Sequence, residues 1–134
     1  PQNALVHYYR AQCNTSLNRL DPAIDDLQTA LKIGASGKLR TQIYNQMGYV
    51  YDKKKDYDRA ANAYRDAGNQ GKVAEMQQKA SAKAQNVQAE AEQAEFRRRL
   101  AALELQIQEL EAIGEMEEAN ELRKQLEQLQ KHLN

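Results

Sequence analysis

The sequence is poor in the residues that break helices and in those that carry most chemistry. Its 134 residues include no Trp, one Phe, two Pro, six Gly and one Cys, while apolar residues make up 41% of the chain. This composition predicts an all-α fold with a thin core. The single cysteine excludes an intrachain disulfide, and its apolar, helical surroundings predict that Cys13 is a small buried side chain.

Long apolar runs are missing as well. No stretch approaches the roughly 18 consecutive apolar residues that a membrane-spanning helix requires. The first residues, PQNALVHYYR, lack the basic segment and apolar stretch of a signal peptide. We therefore expect no membrane span; the compartment stays open, with the cytoplasm favoured.

Groups that could converge for catalysis are scarce. His7 and Cys13 are six residues apart, so they do not share a helical face, and no Gly-rich phosphate loop is present. The acidic pairs Asp25-Asp26 and Glu117-Glu118 lie on polar helix faces, where solvated charge is the common situation. We expect no enzyme, and neither catalytic residues, a metal site nor a cofactor.

The net charge is zero, but basic and acidic residues are distributed unevenly along the chain. There are 16 basic and 11 acidic residues up to Leu103, then 3 and 8. The two basic clusters, Lys53–Lys55 and Arg97–Arg99, could each meet phosphate. Nucleic-acid binders usually carry a broader positive field, so we interpret both clusters as solvated and expect no nucleic-acid partner.

Four short helices are predicted before residue 70. Asp21 followed by Pro22 is typical of a helix start. The stretches GASG (34–37) and GNQG (68–71) end helices, because glycine readily adopts the left-handed conformation found just past a helix end. The predicted helices cover residues 3–18, 22–33, 38–53 and 56–67.

The second helix pair repeats the first at an offset of 37 residues. The matched positions are Ala11 with Gly48, Leu20 with Tyr57, Ala23 with Ala60, Leu27 with Tyr64 and Ala30 with Ala67. Small residues at Gly48 and Ala60 let two helices approach closely, while Tyr51, Tyr57 and Tyr64 fill the flanking volume. Residues 4–67 thus resemble the tetratricopeptide repeat (TPR) family, whose unit is a helix-turn-helix of about 34 residues.

This resemblance implies a concave groove that binds a peptide or a segment of another protein. In TPR proteins the first helix of each unit lines the groove. The implied partner-binding residues here are Tyr8, Gln12, Thr15, Gln42, Asn45, Tyr49, Asp52 and Lys53. Two repeats need a capping helix to bury their last apolar face, and Val73, Met76 and Ala80 are predicted to form that cap, so that the array spans residues 1–80.

One long helix of about 42 residues is predicted between Gly71 and Gly114, where neither Pro nor Gly occurs. Its middle part, residues 81–99, is rich in Ala, Gln and Glu, which favour helix but offer little to pack. We interpret this connector as a solvated helical rod; a thin Ala-lined seam and a partly disordered linker are the alternatives.

Two apolar stripes follow on either side of Gly114, out of heptad register with each other. They predict an antiparallel helical hairpin or coiled coil over residues 100–134. The residues expected to mediate self-association, as a possible homodimer, are Leu103, Ile107, Leu110, Leu122, Leu126 and Leu129. Within residues 103–133, the stretch EMEEANELRKQLEQL also resembles the UVR motif, a helical hairpin of excision-repair subunits that pairs with another copy.

Three functions follow from these patterns. The leading hypothesis is a non-enzymatic scaffold that binds a protein or peptide through the TPR groove. The alternative is a self-association module that dimerises through its C-terminal helices. The third is an adaptor linked to nucleic acid, which the UVR-like stretch and Arg97–Arg99 suggest.

Overall fold

The computed structural model describes residues 3–133, and the predicted all-α class is confirmed over that range. The helices of this range are α1 (Ala4–Ser16), α2 (Leu20–Ile33), α3 (Gly37–Lys53), α4 (Tyr57–Asp66), α5 (Gln70–Ala112) and α6 (Met116–Lys131). The chain divides within α5 into two compact units: unit 1 extends to Ala84 and unit 2 begins at Gln85.

The helix ends lie within two residues of the predicted ones. Helix α1 ends at Ser16, two residues before the predicted end, and the other difference of this size is at the start of α2. That helix begins at Leu20, two residues before the predicted start, so Pro22 lies in its first turn. Proline is tolerated there because the first N–H groups of a helix have no intrahelical partner. Asp56 does cap α4, since its side chain accepts a hydrogen bond from the backbone N–H of Arg59 at 3.3 Å.

Unit 1 consists of two helix pairs that pack on each other. Helix α1 packs against α2 and α3 against α4, while α3 also contacts both helices of the first pair. Its largest fully buried side chains are Leu27, Ile43, Val50 and Met76. Because Val73 and Met76 belong to α5, the first turns of this long helix complete the core of unit 1.

Four alanines of unit 1 are completely enclosed by other residues. Ala11, Ala23, Ala30 and Ala60 have no exposed surface at all. A larger side chain at any of these positions would overpack the core. The internal repeat is therefore a packing feature: it marks the positions at which each helix pair closes.

Unit 2 contains a helical hairpin made of the last turns of α5 and the whole of α6. The turn between them contains Gly114, whose φ of +85° is readily adopted only by glycine. An ion pair joins Glu111 on α5 to Arg123 on α6. Before the hairpin, α5 continues as helix through residues 85–93 with every side chain exposed.

Candidate protein interface

Helices α1 and α3 lie side by side in unit 1. The amide of Gln46 donates to the Thr15 hydroxyl at 3.3 Å, and that hydroxyl donates to the Ala11 carbonyl at 2.8 Å. Thr15 is 4% exposed. The expectation that Thr15 lines an open groove is thus corrected, because its side chain belongs to the packing between α1 and α3.

Two further predicted residues are engaged within unit 1. Asn45 accepts a hydrogen bond from the Asn69 amide at 3.2 Å, which joins α3 to the loop before α5. Both carboxylate oxygens of Asp52 bind the Lys79 ammonium, at 2.9 and 3.1 Å. This contact raises the pKa of Lys79. Asn45 and Asp52 therefore connect α3 to its neighbours.

The remaining predicted residues offer side chains to solvent. Tyr49 is 44% exposed, and the Lys53 ammonium lies 5.2 Å from its ring centroid, a cation–π distance. On α1, Tyr8 is half-buried and its hydroxyl accepts a hydrogen bond from Gln12 at 3.0 Å. We call the following set the α1–α3 face: Leu5, Tyr8, Gln12, Gln42, Tyr49 and Lys53.

Sequence reasoning missed Asp26, which is the most buried charged residue within residues 3–133. Asp26 is 6% exposed, although the sequence suggested a solvated carboxylate. Its oxygens accept two hydrogen bonds of 3.0 Å from Arg10 Nε and one of 3.1 Å from Asn14, and the His7 ring lies 3.5 Å away. The Arg10 hydrogen bonds hold the pKa of the Asp26 carboxyl below its ordinary value, against the opposing effect of burial.

A signal for this cluster is present in the sequence. His7, Arg10 and Asn14 are spaced at i, i+3 and i+7, which puts three polar side chains on one stripe of α1. A polar stripe that faces another helix needs a polar partner, because burying an unpaired polar group is costly. Asp26 on α2 is that partner, and with its oxygens engaged it holds α1 and α2 together.

The prediction that Cys13 is buried is wrong, because its side chain is exposed. The helical pattern placed it near apolar neighbours, but α1 turns this position away from α2 and α3.

The basic cluster Lys53–Lys55, interpreted above as solvated, makes contacts within unit 1. Lys54 pairs with Asp21 of the first helix pair, and the Lys83 ammonium donates to the Lys55 carbonyl at 2.9 Å.

In unit 2 the six predicted self-association residues fall into two groups. Ile107 is buried between α5 and α6. The others are half-buried, which leaves part of each leucine in contact with water; they are Leu103, Leu110, Leu122, Leu126 and Leu129. An open groove of about 420 Å³ runs along the hairpin between Ile107 and Leu126, with Glu104, Glu111 and Glu127 among its polar lining.

Residues 3–133 were also searched for metal-binding clusters and for membrane-spanning helices. In that range no three His, Cys, Asp or Glu side chains converge into a set that could hold a metal ion. None of the helices described is long and apolar enough to cross a membrane. Comparison of the chain with protein-family models, with curated proteins and with solved structures found no match.

Proposed function

We propose that this protein is a binding module that holds a segment of another protein on the α1–α3 face of unit 1. The observation that carries the proposal is the exposure of Tyr49 and Leu5, at 44% and 42%, beside polar side chains on adjacent helices. Aromatic anchors surrounded by polar groups are typical of protein interfaces.

The rigidity of the two helices supports this proposal. Gln46 and Thr15 join α3 to α1, while Asp52 and Lys79 join α3 to α5. A surface fixed in this way loses little conformational freedom when a partner binds, so more of the contact energy is retained as affinity. The engaged residues thus support the α1–α3 face without being part of it.

A peptide library provides the test, because no partner needs to be known beforehand. Random peptides are selected against the full chain, and the dissociation constants of enriched peptides are measured for variants. Tyr49→Ala removes an exposed aromatic anchor, and we expect it to weaken binding by about tenfold or more. Lys53→Glu should weaken binding as well, since it removes the cation that lies over the Tyr49 ring.

Two matched substitutions serve as controls. Val6→Ala changes an apolar residue of α1 that is 59% exposed but lies outside the face, and Lys32→Glu reverses an exposed charge on α2. Both should leave the dissociation constant within about twofold, as expected of surface residues without a contact. Peptides that bind the Tyr49→Ala and Val6→Ala variants equally well would refute the proposed face.

A further inference from the structure

The hairpin of unit 2 buries very little of its own apolar surface. Within residues 85–133 only Ile107 and Ala119 are buried apolar residues. Six leucines remain half-buried along the two helices, and Leu105 is 57% exposed. A structure of fewer than about 40 residues seldom has enough core to be stable alone, and association is one usual remedy.

Charge is distributed unequally along this hairpin. The open end, where α5 enters and α6 finishes, carries four exposed basic residues, Arg97, Arg98, Arg99 and Lys131, and two exposed acidic residues, Glu95 and Glu127. The turn end carries four exposed acidic residues: Glu109, Glu115, Glu117 and Glu118. In the ion pairs of the described residues, Arg99 contacts Glu95 one turn earlier, whereas Arg97 and Arg98 pair with no carboxylate.

The half-buried leucines and the unequal charge together favour a particular kind of partner. Such a partner has an apolar stripe, with its acidic end beside the basic end of this hairpin and its basic end beside the turn. A second copy of the hairpin satisfies this requirement when it lies antiparallel, because each basic end then meets an acidic end. Three consecutive arginines also extend over more than half of the helix circumference, at about 100° per residue, so some of them flank any face that docks. In a dimer with two-fold symmetry, each favourable contact is made two times.

We propose that unit 2 docks against unit 2 of a second copy, with the turn of one hairpin beside the open end of the other. The half-buried leucines of the two copies close on each other in a four-helix arrangement, a common solution for helices with one apolar stripe. The charged ends select the antiparallel orientation, since a parallel pair would place four basic residues beside four basic residues.

The first experiment is sedimentation equilibrium of the full chain between about 1 and 200 µM. A monomer–dimer equilibrium is expected, and a monomer throughout this range overturns the proposal. The triple variant Arg97→Glu, Arg98→Glu, Arg99→Glu should raise the dimer dissociation constant at least about tenfold, because it places like charges at both contacts. As a matched control, Lys32→Glu, Lys38→Glu, Arg65→Glu reverses three exposed charges of unit 1 and should leave dimerisation unchanged.

A compensating variant separates orientation from simple loss of charge. Adding Glu115→Lys, Glu117→Lys and Glu118→Lys to the arginine triple variant exchanges the signs of both ends. An antiparallel dimer should then return to within a few-fold of the wild-type dissociation constant. If dimerisation does not recover although circular dichroism shows full helix content, the antiparallel arrangement is wrong.

Spin labels give the orientation directly. Ile113→Cys in a Cys13→Ser background labels the turn, where residue 113 is 74% exposed. The turn and Arg97 are about 24 Å apart along α5, at 1.5 Å per residue, so antiparallel copies should show label distances above about 20 Å. A distance below about 15 Å indicates that the two turns meet, and absence of any intermolecular distance indicates that the copies do not associate; both results overturn the proposal.

Discussion

Gly48 lies directly against the ring of Tyr64. A Cβ atom built on Gly48 would be 2.7 Å from three ring atoms, Cδ2, Cε2 and Cζ, a separation that real Cβ atoms do not tolerate. Tyr64 is 5% exposed and has core residues around it, so its ring has little room to move. The contact between α3 and α4 therefore depends on the absence of a side chain at position 48.

Gly48→Ala should destabilise unit 1 by about 1–3 kcal/mol despite the better helix propensity of alanine, because overpacking of a closed contact outweighs it. Urea denaturation followed by tyrosine fluorescence measures this, since all seven tyrosines precede residue 85. Gly71→Ala is the control: the nearest atom to its Cβ would be 3.9 Å away, so stability should be unchanged or slightly higher. Equal effects of both substitutions would contradict the packing explanation.

Asp26 should make unit 1 sensitive to acid. Because its folded-state pKa is lowered, the unfolded state binds more protons as the pH falls below the ordinary value of 3.8. The stabilisation that Asp26 provides is therefore complete above that value and is lost as the pH falls through the folded-state pKa. Asp26→Asn should cost about 1–3 kcal/mol near pH 7, and the difference from wild type should shrink below about pH 4.

The neighbouring acid provides the control for this pH dependence. Asp25 is exposed on the same turn of α2. Asp25→Asn should change the free energy of unfolding by less than about 0.5 kcal/mol at every pH. If the two variants show the same pH profile, the contacts of Asp26 with Arg10 and Asn14 do not stabilise the fold.

Position 119 in unit 2 should tolerate a larger side chain as poorly as position 48 does in unit 1. It is fully buried against α5, so Ala119→Leu should force α6 away from α5 at a cost of about 1–3 kcal/mol. Hydrogen exchange of α6 amides is the readout, and we expect exchange to be about tenfold faster or more. Ala102→Leu, at an exposed position of α5, should leave the exchange rates unchanged.

The helices were predictable from the sequence because their signals are local. Gly34 and Gly114 end helices by their own backbone preference, and the repeated pattern predicts packing residues at Leu27, Tyr51 and Tyr64, all of which are buried. The Asp26 cluster was not predicted, since Asp26 and Arg10 are 16 residues apart and only packing brings them together. Periodicity likewise could not show that Cys13 is exposed, because that depends on how α1 turns against its neighbours.

The candidate interface was predictable only in part, for the same reason. A family pattern identifies which positions share a helix face, but it does not show which side chains are used by neighbouring helices. Thr15 is buried, Asn45 binds Asn69 and Asp52 binds Lys79. Each of these contacts joins residues from separate helices or loops, so it becomes visible only when the helices are packed.

The most direct test of the proposed function is amide chemical-shift mapping of the full chain with a library-selected peptide. Binding on the α1–α3 face predicts that the largest shift changes occur at Leu5, Gln12, Gln42, Tyr49 and Lys53. The amides of α2 and α4 that face away from these helices should change little. Shift changes concentrated on α2, α4 or unit 2 would contradict the proposal that α1 and α3 form the binding surface.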